Sequence, residues 1–360
     1  MSTTNNTSSN KTRIINSKTI YANYRIAQQA LVQGQSIRMP STANADVSVL
    51  AAKAFGPTQF TPAEIAAVLE STSTDPINPT RNIIGYTVST FAGTNGEFSY
   101  PSGLAIDANN NLYVTDSYNN RVCKITSDGS VTTFATGFNG PYGLSIDANN
   151  NLYVADTDNN SVCKITSDSS VTTFATGFNG PYGLSIDGLG NIYVADTDNN
   201  QISKITSDRN KTVFAGDGSS GTTNGYRTDA QFNRPEAVTF DTYGNMYIAD
   251  YNNNLIRKIT SDQVSTFAGM NGELNSPEGL TCDANGTLYI TDSDNNRICK
   301  IGTDGTIITI AGDGSSGTAN GPGMNAQFNY PFGIVFDTNA NIYVSDAGNN
   351  LIRKLTPIYA

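Results

Sequence analysis

One segment recurs six times along the 360-residue chain, and that recurrence limits the fold more than any other feature. PSGLAIDANNNLYVTDSYNNRVCKIT begins at Pro101, and close copies begin at Pro141, Pro181, Pro235, Pro277 and Pro331. Successive copies start 40, 40, 54, 42 and 54 residues apart. Within each, apolar residues form short runs of β type, and Asn, Asp and Gly fill the gaps with turn chemistry. A unit of this size cannot bury its apolar face alone, so neighbouring copies must cover one another.

Each copy divides into four strands. In the first, the pattern predicts strand a at 104–107, b at 112–116, c at 122–126 and d at 131–135. Six such units predict an all-β fold, a six-bladed β-propeller over residues 85–360. The last copy stops after its strand c, where only PIYA follows, so its fourth strand must come from elsewhere. YTVSTFA at 86–92 matches the strand d sequences VTTFA at 131–135 and VSTFA at 264–268. It should complete the last blade, close the ring and remove edges that template aggregation. Two inserts, GDGSSGTTNGYRTDAQFNRP at 216–235 and GDGSSGTANGPGMNAQFNYP at 312–331, lengthen two of the d–a connections. Propeller geometry puts the d–a and b–c connections on one face, here the upper face.

The pattern P-x-G-[LIV]-x-x-D … N-[LI]-Y-[VI]-x-D-x-x-N-N-x-[VI], with the linker A-G-D-G … A-Q-F-N-x-P, resembles the NHL repeat. Where that repeat is named for Asn-His-Leu, this chain has Asn253-Asn254-Leu255 and Asn349-Asn350-Leu351, with Asn at the His position in every copy. The whole chain has no histidine. That excludes Ser-His-Asp and Cys-His nucleophiles and His-ligated zinc. The resemblance therefore implies little about lyases of this type that depend on a His-bound metal. It leaves open lactonase-like propellers, which set carboxylates and Asn around a central divalent ion.

Net charge is −10 and unevenly spread. Residues 1–84 carry seven Lys/Arg against four acids; the remainder carries fourteen against 27. An acidic body repels phosphate backbones, which disfavours nucleic acid as a partner. The N-terminal residues MSTTNNTSSNKTRIINSKTI lack an apolar signal core, and no stretch is long enough to span a membrane. The four cysteines fall on strand positions too far apart to pair, which fits a reducing compartment, and the Asn-rich composition without Trp or His suits an intracellular (cytosolic) or virion-associated setting. Residues 1–84 read as a separate extension. Residues 1–16 are polar enough to be disordered, and helices are expected at 18–33, at 46–55 and after the capping box Thr61-Pro62-Ala63-Glu64.

Asp closes strand b in all six copies, and another Asp follows strand a. A ring has one centre, so groups repeated in every blade are expected to be turn and interblade hydrogen-bonding groups, not catalytic ones. The loops DTDNN at 156–160 and 196–200 and DSDNN at 292–296 resemble the start of a Ca²⁺ loop but lack its Gly and closing Glu. Turn capping explains them without a cofactor, and Asp158, Asp198 and Asp294 are kept as the candidate Ca²⁺ ligands.

The differentiated positions carry more information. The residue after each repeat proline should line the upper mouth: Ser102, Tyr142, Tyr182, Glu236, Glu278 and Phe332. With Tyr118 from a b–c loop and Tyr226, Arg227, Arg234 and Tyr330 from the long linkers, they make a face of tyrosines, acids and two arginines. Tyr and Arg are common interface anchors. Residues 127–168 and 167–208 are nearly identical, which suits a repetitive docking surface better than a catalytic centre. The sequence thus favours a non-catalytic scaffold that presents this face to a protein or glycan, with residues 1–84 as tether or homo-oligomerisation element. The alternatives are a Ca²⁺-type hydrolase or lyase with its site on the axis near Glu236 and Glu278, and RNA binding through Arg227 and Arg234.

Overall fold

A computed structural model describes residues 82–360. The repeats form six antiparallel sheets, four of four strands and two of five. Blade 1 consists of Pro101–Ile106, Leu112–Asp116, Arg121–Ile125 and Val131–Thr136, strands a to d. The other blades repeat this order from Pro141, Pro181, Pro235, Pro277 and Pro331. Strand b, such as Leu152–Asp156 or Ile342–Asp346, is buried at every position in all six blades. A strand covered on both faces reads as an apolar run, and each of these opens on one, such as Leu112-Tyr113-Val114, before closing on a buried Asp. The cores lie between blades: Tyr113 and Val122 of blade 1 pack with Leu144, Val154 and Ile165 of blade 2.

The ring closes as the sequence predicts. Ile83–Ala92 pairs antiparallel with Leu351–Tyr359, placing Val88 opposite Leu355. Val88 and Tyr86 enter the core between blades 5 and 6, and Ala92 enters the one between blades 6 and 1. The pairing is longer than expected at one end, where Pro357–Tyr359 continues strand c and Tyr359 pairs with Ile83.

The strand-closing Asp is a clamp in every blade. Its Oδ1 accepts the amide of a residue 17 positions upstream, from Ser99 to Asp116 at 2.7 Å through Asn329 to Asp346 at 2.7 Å. The first Asn of each Asn-Asn pair donates to the same Asp. The second Asn adopts a left-handed backbone, φ 50–59°, which Asn tolerates. Its side-chain oxygen accepts the amide of the residue before the next repeat proline, from Asn120 to Gly140 at 2.8 Å through Asn350 to Tyr100 at 2.7 Å. The D-x-x-N-N motif is therefore a hydrogen-bonding device that joins each blade to the next.

Strand a begins at the repeat proline, earlier than predicted, because a bulge intervenes. Pro101 opposes Asp116 but Leu104 opposes Val114, and the same irregularity recurs in the other blades. Such a bulge re-aims side chains. The Gly of P-x-G sits there for close packing: a Cβ on Gly143 would stand 2.1 Å from the Tyr182 carbonyl oxygen of the next blade.

The long linkers are ordered. Gly225–Tyr226 and Gly321–Pro322 add a fifth, outermost strand to blades 4 and 6. Phe232 and Phe328 bury their rings beneath. The helices expected at 18–33, 46–55 and after Thr61, and the disorder expected at 1–16, lie outside the described residues.

Candidate functional site: the aromatic mouth

The site is built where the bulge and the Asn clamp meet. Each clamp holds the residue before the repeat proline at φ 52–56°, giving Tyr100, Gly140, Gly180, Arg234, Ser276 and Tyr330 the same left-handed backbone. Glycine adopts it freely, whereas Tyr100, Arg234, Ser276 and Tyr330 hold it under strain. The next residues but one, Ser102, Tyr142, Tyr182, Glu236, Glu278 and Phe332, occupy the bulge.

Aromatic rings bridge the mouth. Tyr142 stacks on Tyr182 at 4.5 Å and meets Phe332 at 5.7 Å. Tyr100 stacks on Tyr118 at 4.8 Å and approaches Tyr142 and Tyr330 at 6.4 and 6.3 Å. The hydroxyls of Tyr330 and Tyr251 are 2.9 Å apart. Tyr118 remains 64% exposed, so its ring faces outward.

Two acids lie beneath. Glu236 is 5% exposed and Glu278 3%. Arg234 pairs with Asp198 at 2.7 Å and stands 3.7 Å from Oε1 of Glu236; Oε2 of Glu236 is buried without a partner. Ser293 donates to Glu278 at 3.2 Å. Burial pushes the Glu236 carboxyl up to about 8 against the pull of Arg234. Glu278 is raised well above the usual range by burial and then by the charge of Glu236. Glu236 thus favours its protonated form at neutral pH, and burial shifts Glu278 in the same direction. Burial also raises the Tyr142 hydroxyl to about 12, and those of Tyr100, Tyr182 and Tyr330 further.

Of the ten residues predicted from sequence, the structure brings together Tyr118, Tyr142, Tyr182, Arg234, Glu236, Glu278, Tyr330 and Phe332. Tyr226 and Arg227 are a correction. Tyr226 pairs with Gln263 on the outer edge of blade 4, and Arg227 binds Asp262 at 2.5 Å in the c–d turn, so neither belongs to the mouth. Sequence reasoning missed Tyr100 and Tyr251. Tyr100 holds the same pre-proline position as Tyr330, a signal visible once the repeats are aligned.

The predicted calcium positions are dispersed. Asp158, Asp198 and Asp294 each sit in a different blade; Asp198 pairs with Arg234 and Asp294 accepts from Ser276 at 2.6 Å. Among the described residues no group of three or more Cys, Asp or Glu is arranged to hold a metal.

Comparison with known proteins agrees with this architecture. The NHL repeat matches residues 274–301, and the virginiamycin B lyase family matches residues 80–216. This chain is a six-bladed β-propeller with an NHL repeat in its fifth blade. Among solved structures, an auxiliary nutrient binding protein from Bacteroides thetaiotaomicron superposes on this propeller with TM-score 0.64 at 18% identity, covering 77% of each chain. A catalytically inactive histidine-to-alanine variant of virginiamycin B lyase from Staphylococcus aureus with quinupristin gives TM-score 0.57 at 20% identity, covering 76% of this chain and 100% of that one. A gluconolactonase from Xanthomonas campestris gives 0.59 at 14% identity, covering 76% and 90%. These likenesses show the fold alone. No curated protein matches in sequence.

Proposed function

We propose that the propeller is a non-catalytic binding module that offers its upper mouth to a protein or glycan partner, with residues 1–84 as tether or oligomerisation element. The observation that carries this is the bridging of the mouth by Tyr100, Tyr118, Tyr142, Tyr182 and Phe332 over two buried acids. Rings already packed on one another form a rigid, amphipathic platform, the kind of surface that gains contact area at low entropic cost. The similar nutrient-binding propeller supports the reading. So does the lyase, whose histidine-to-alanine variant is catalytically inactive, because this chain has no histidine.

The axial hydrolase alternative would rest on Glu236 and Glu278, and among the described residues no group of three Cys, Asp or Glu is arranged to hold a metal. No stoichiometric divalent ion in the purified protein, and no loss of thermal stability with EDTA, is the expected result. RNA binding finds its two arginines apart and each ion-paired, so they form no shared basic patch. To test the binding reading, peptide and glycan arrays are probed with the full chain, with Tyr182→Ala and with Tyr226→Ala. Signals should fall about tenfold or more for Tyr182→Ala and persist for Tyr226→Ala. Equal signals from all three would remove the mouth from the account.

A further inference from the structure

Glu236 is the one carboxyl of the mouth with an oxygen left over. It is 95% withdrawn from solvent at 5% exposure, and its Oε2 has no hydrogen-bond partner. A buried acceptor in that condition costs free energy unless something else satisfies it. Its cationic neighbour among the described residues, Arg234, is 3.7 Å away and already committed to Asp198 at 2.7 Å. Asp198 and Glu278 are its acidic neighbours, and the Arg234 guanidinium lies 6.0 Å from the centroid of the Tyr182 ring. Glu278 couples to it electrostatically, Tyr182 feels both acids, and Tyr100 and Tyr142 feel Glu278. Asp198 faces Glu236, and Asp294 faces Glu278. Among the described residues Arg234 is the cation set beside these groups, and it leaves Glu236 Oε2 without a partner.

Aromatic faces combined with buried carboxyls attract organic cations, by the ring quadrupole and by charge-assisted hydrogen bonds. We infer that the mouth is a receptor for an alkylammonium group, which donates to Glu236 Oε2 and lies against the tyrosine rings. The inference rests on the binding reading above and narrows its ligand to a primary amine, either a free diamine or a lysine side chain. Binding must displace the acidic proton: as the ammonium enters, Glu236 gives one proton to solvent and becomes the carboxylate partner. An amine with a lysine-like basicity stays charged throughout the range in which Glu236 titrates.

The test uses the full chain in calorimetric titrations with cadaverine, with 1,5-pentanediol, with a short lysine peptide and with its norleucine counterpart. Cadaverine should bind and pentanediol should not. Affinity should rise about tenfold per pH unit from pH 6 to 7 and level off above about pH 8, with close to one proton released at the lower pH. Glu236→Gln should lose affinity tenfold or more and abolish that pH dependence, and the wild-type panel stands by itself if the variant misfolds. The lysine peptide binding more tightly than cadaverine identifies a protein side chain as the source; the reverse identifies a free amine. Equal binding of diamine and diol, or no binding of either amine, overturns the inference. If array signals still depend on Tyr182 in that case, the binding reading survives without it. If they do not, both fall.

Discussion

Arg257 and Arg353 are fully buried, and each gives one guanidinium nitrogen to the strand-b Asp of its own blade, at 2.8 and 2.6 Å. Their Nη groups also hold the long linker: Arg257 reaches the carbonyls of Gln231 and Thr223 and the side chain of Asn224. In blades 1 and 5, with short connections, the same strand position is Cys123 or Cys299, and Arg121 or Arg297 supplies the charge from two residues upstream. Arg257→Met strands a buried Asp250 and releases the linker. It should destabilise by about 3 kcal/mol or more in denaturant titration and open residues 216–235 to proteolysis. Glu236 works in the opposite sense. Its folded-state value lies above that of an unfolded glutamate, so its contribution is fully present below about pH 4.5 and is lost as pH rises through about 8. Glu236→Gln should therefore melt higher than wild type at pH 8 and lose the wild-type decline between pH 5 and 8. A variant that melts lower at pH 8 would show that the buried acid is not strained.

Among the elements, the closing strand Ile83–Ala92 carries the most consequence, because it alone covers the outer edge of strand Leu351–Tyr359. Val88→Asp places a charge in the core between blades 5 and 6 and should cost about 3 kcal/mol or more. Opening blade 6 should also expose a sheet edge, so concentration-dependent association in sedimentation is expected. This strand was legible in the sequence because strand d has a signature that survives relocation to the other end of the chain. The path of the long linkers was not. Tyr226 and Arg227 sit in a loop-like sequence, and their place on the outer edge is set by two non-local pairs, Gly225 with Val264 and Tyr226 with Gln263. No local period records such pairing. Tyr100 was overlooked for a different reason: the residue before each proline looks like a turn residue until the Asn clamp is seen to fix all six alike.

At the scale of the whole molecule, the repeat fixes the scaffold and the departures from it make the site. Six copies of the same Asp and Asn hydrogen bonds tie blade to blade, and the closed ring should unfold as one cooperative unit despite its modular sequence. Glu236, Glu278 and Phe332 differ from their counterparts in blades 1 to 3, and that asymmetry was readable; their burial, and the raised pKa it gives the two carboxyls, were not, because burial is set by packing between blades. The face opposite the mouth supplies a control, since Tyr243 lies in an a–b turn and is 82% exposed. The central claim, that the mouth is the binding surface, is tested most directly by placing a photo-cross-linking amino acid at position 118 or at position 243 of the full chain in its native setting. A partner captured from position 118 and absent from position 243 is the expected result. Capture of the same partner from 243 alone, or equally from both, contradicts it.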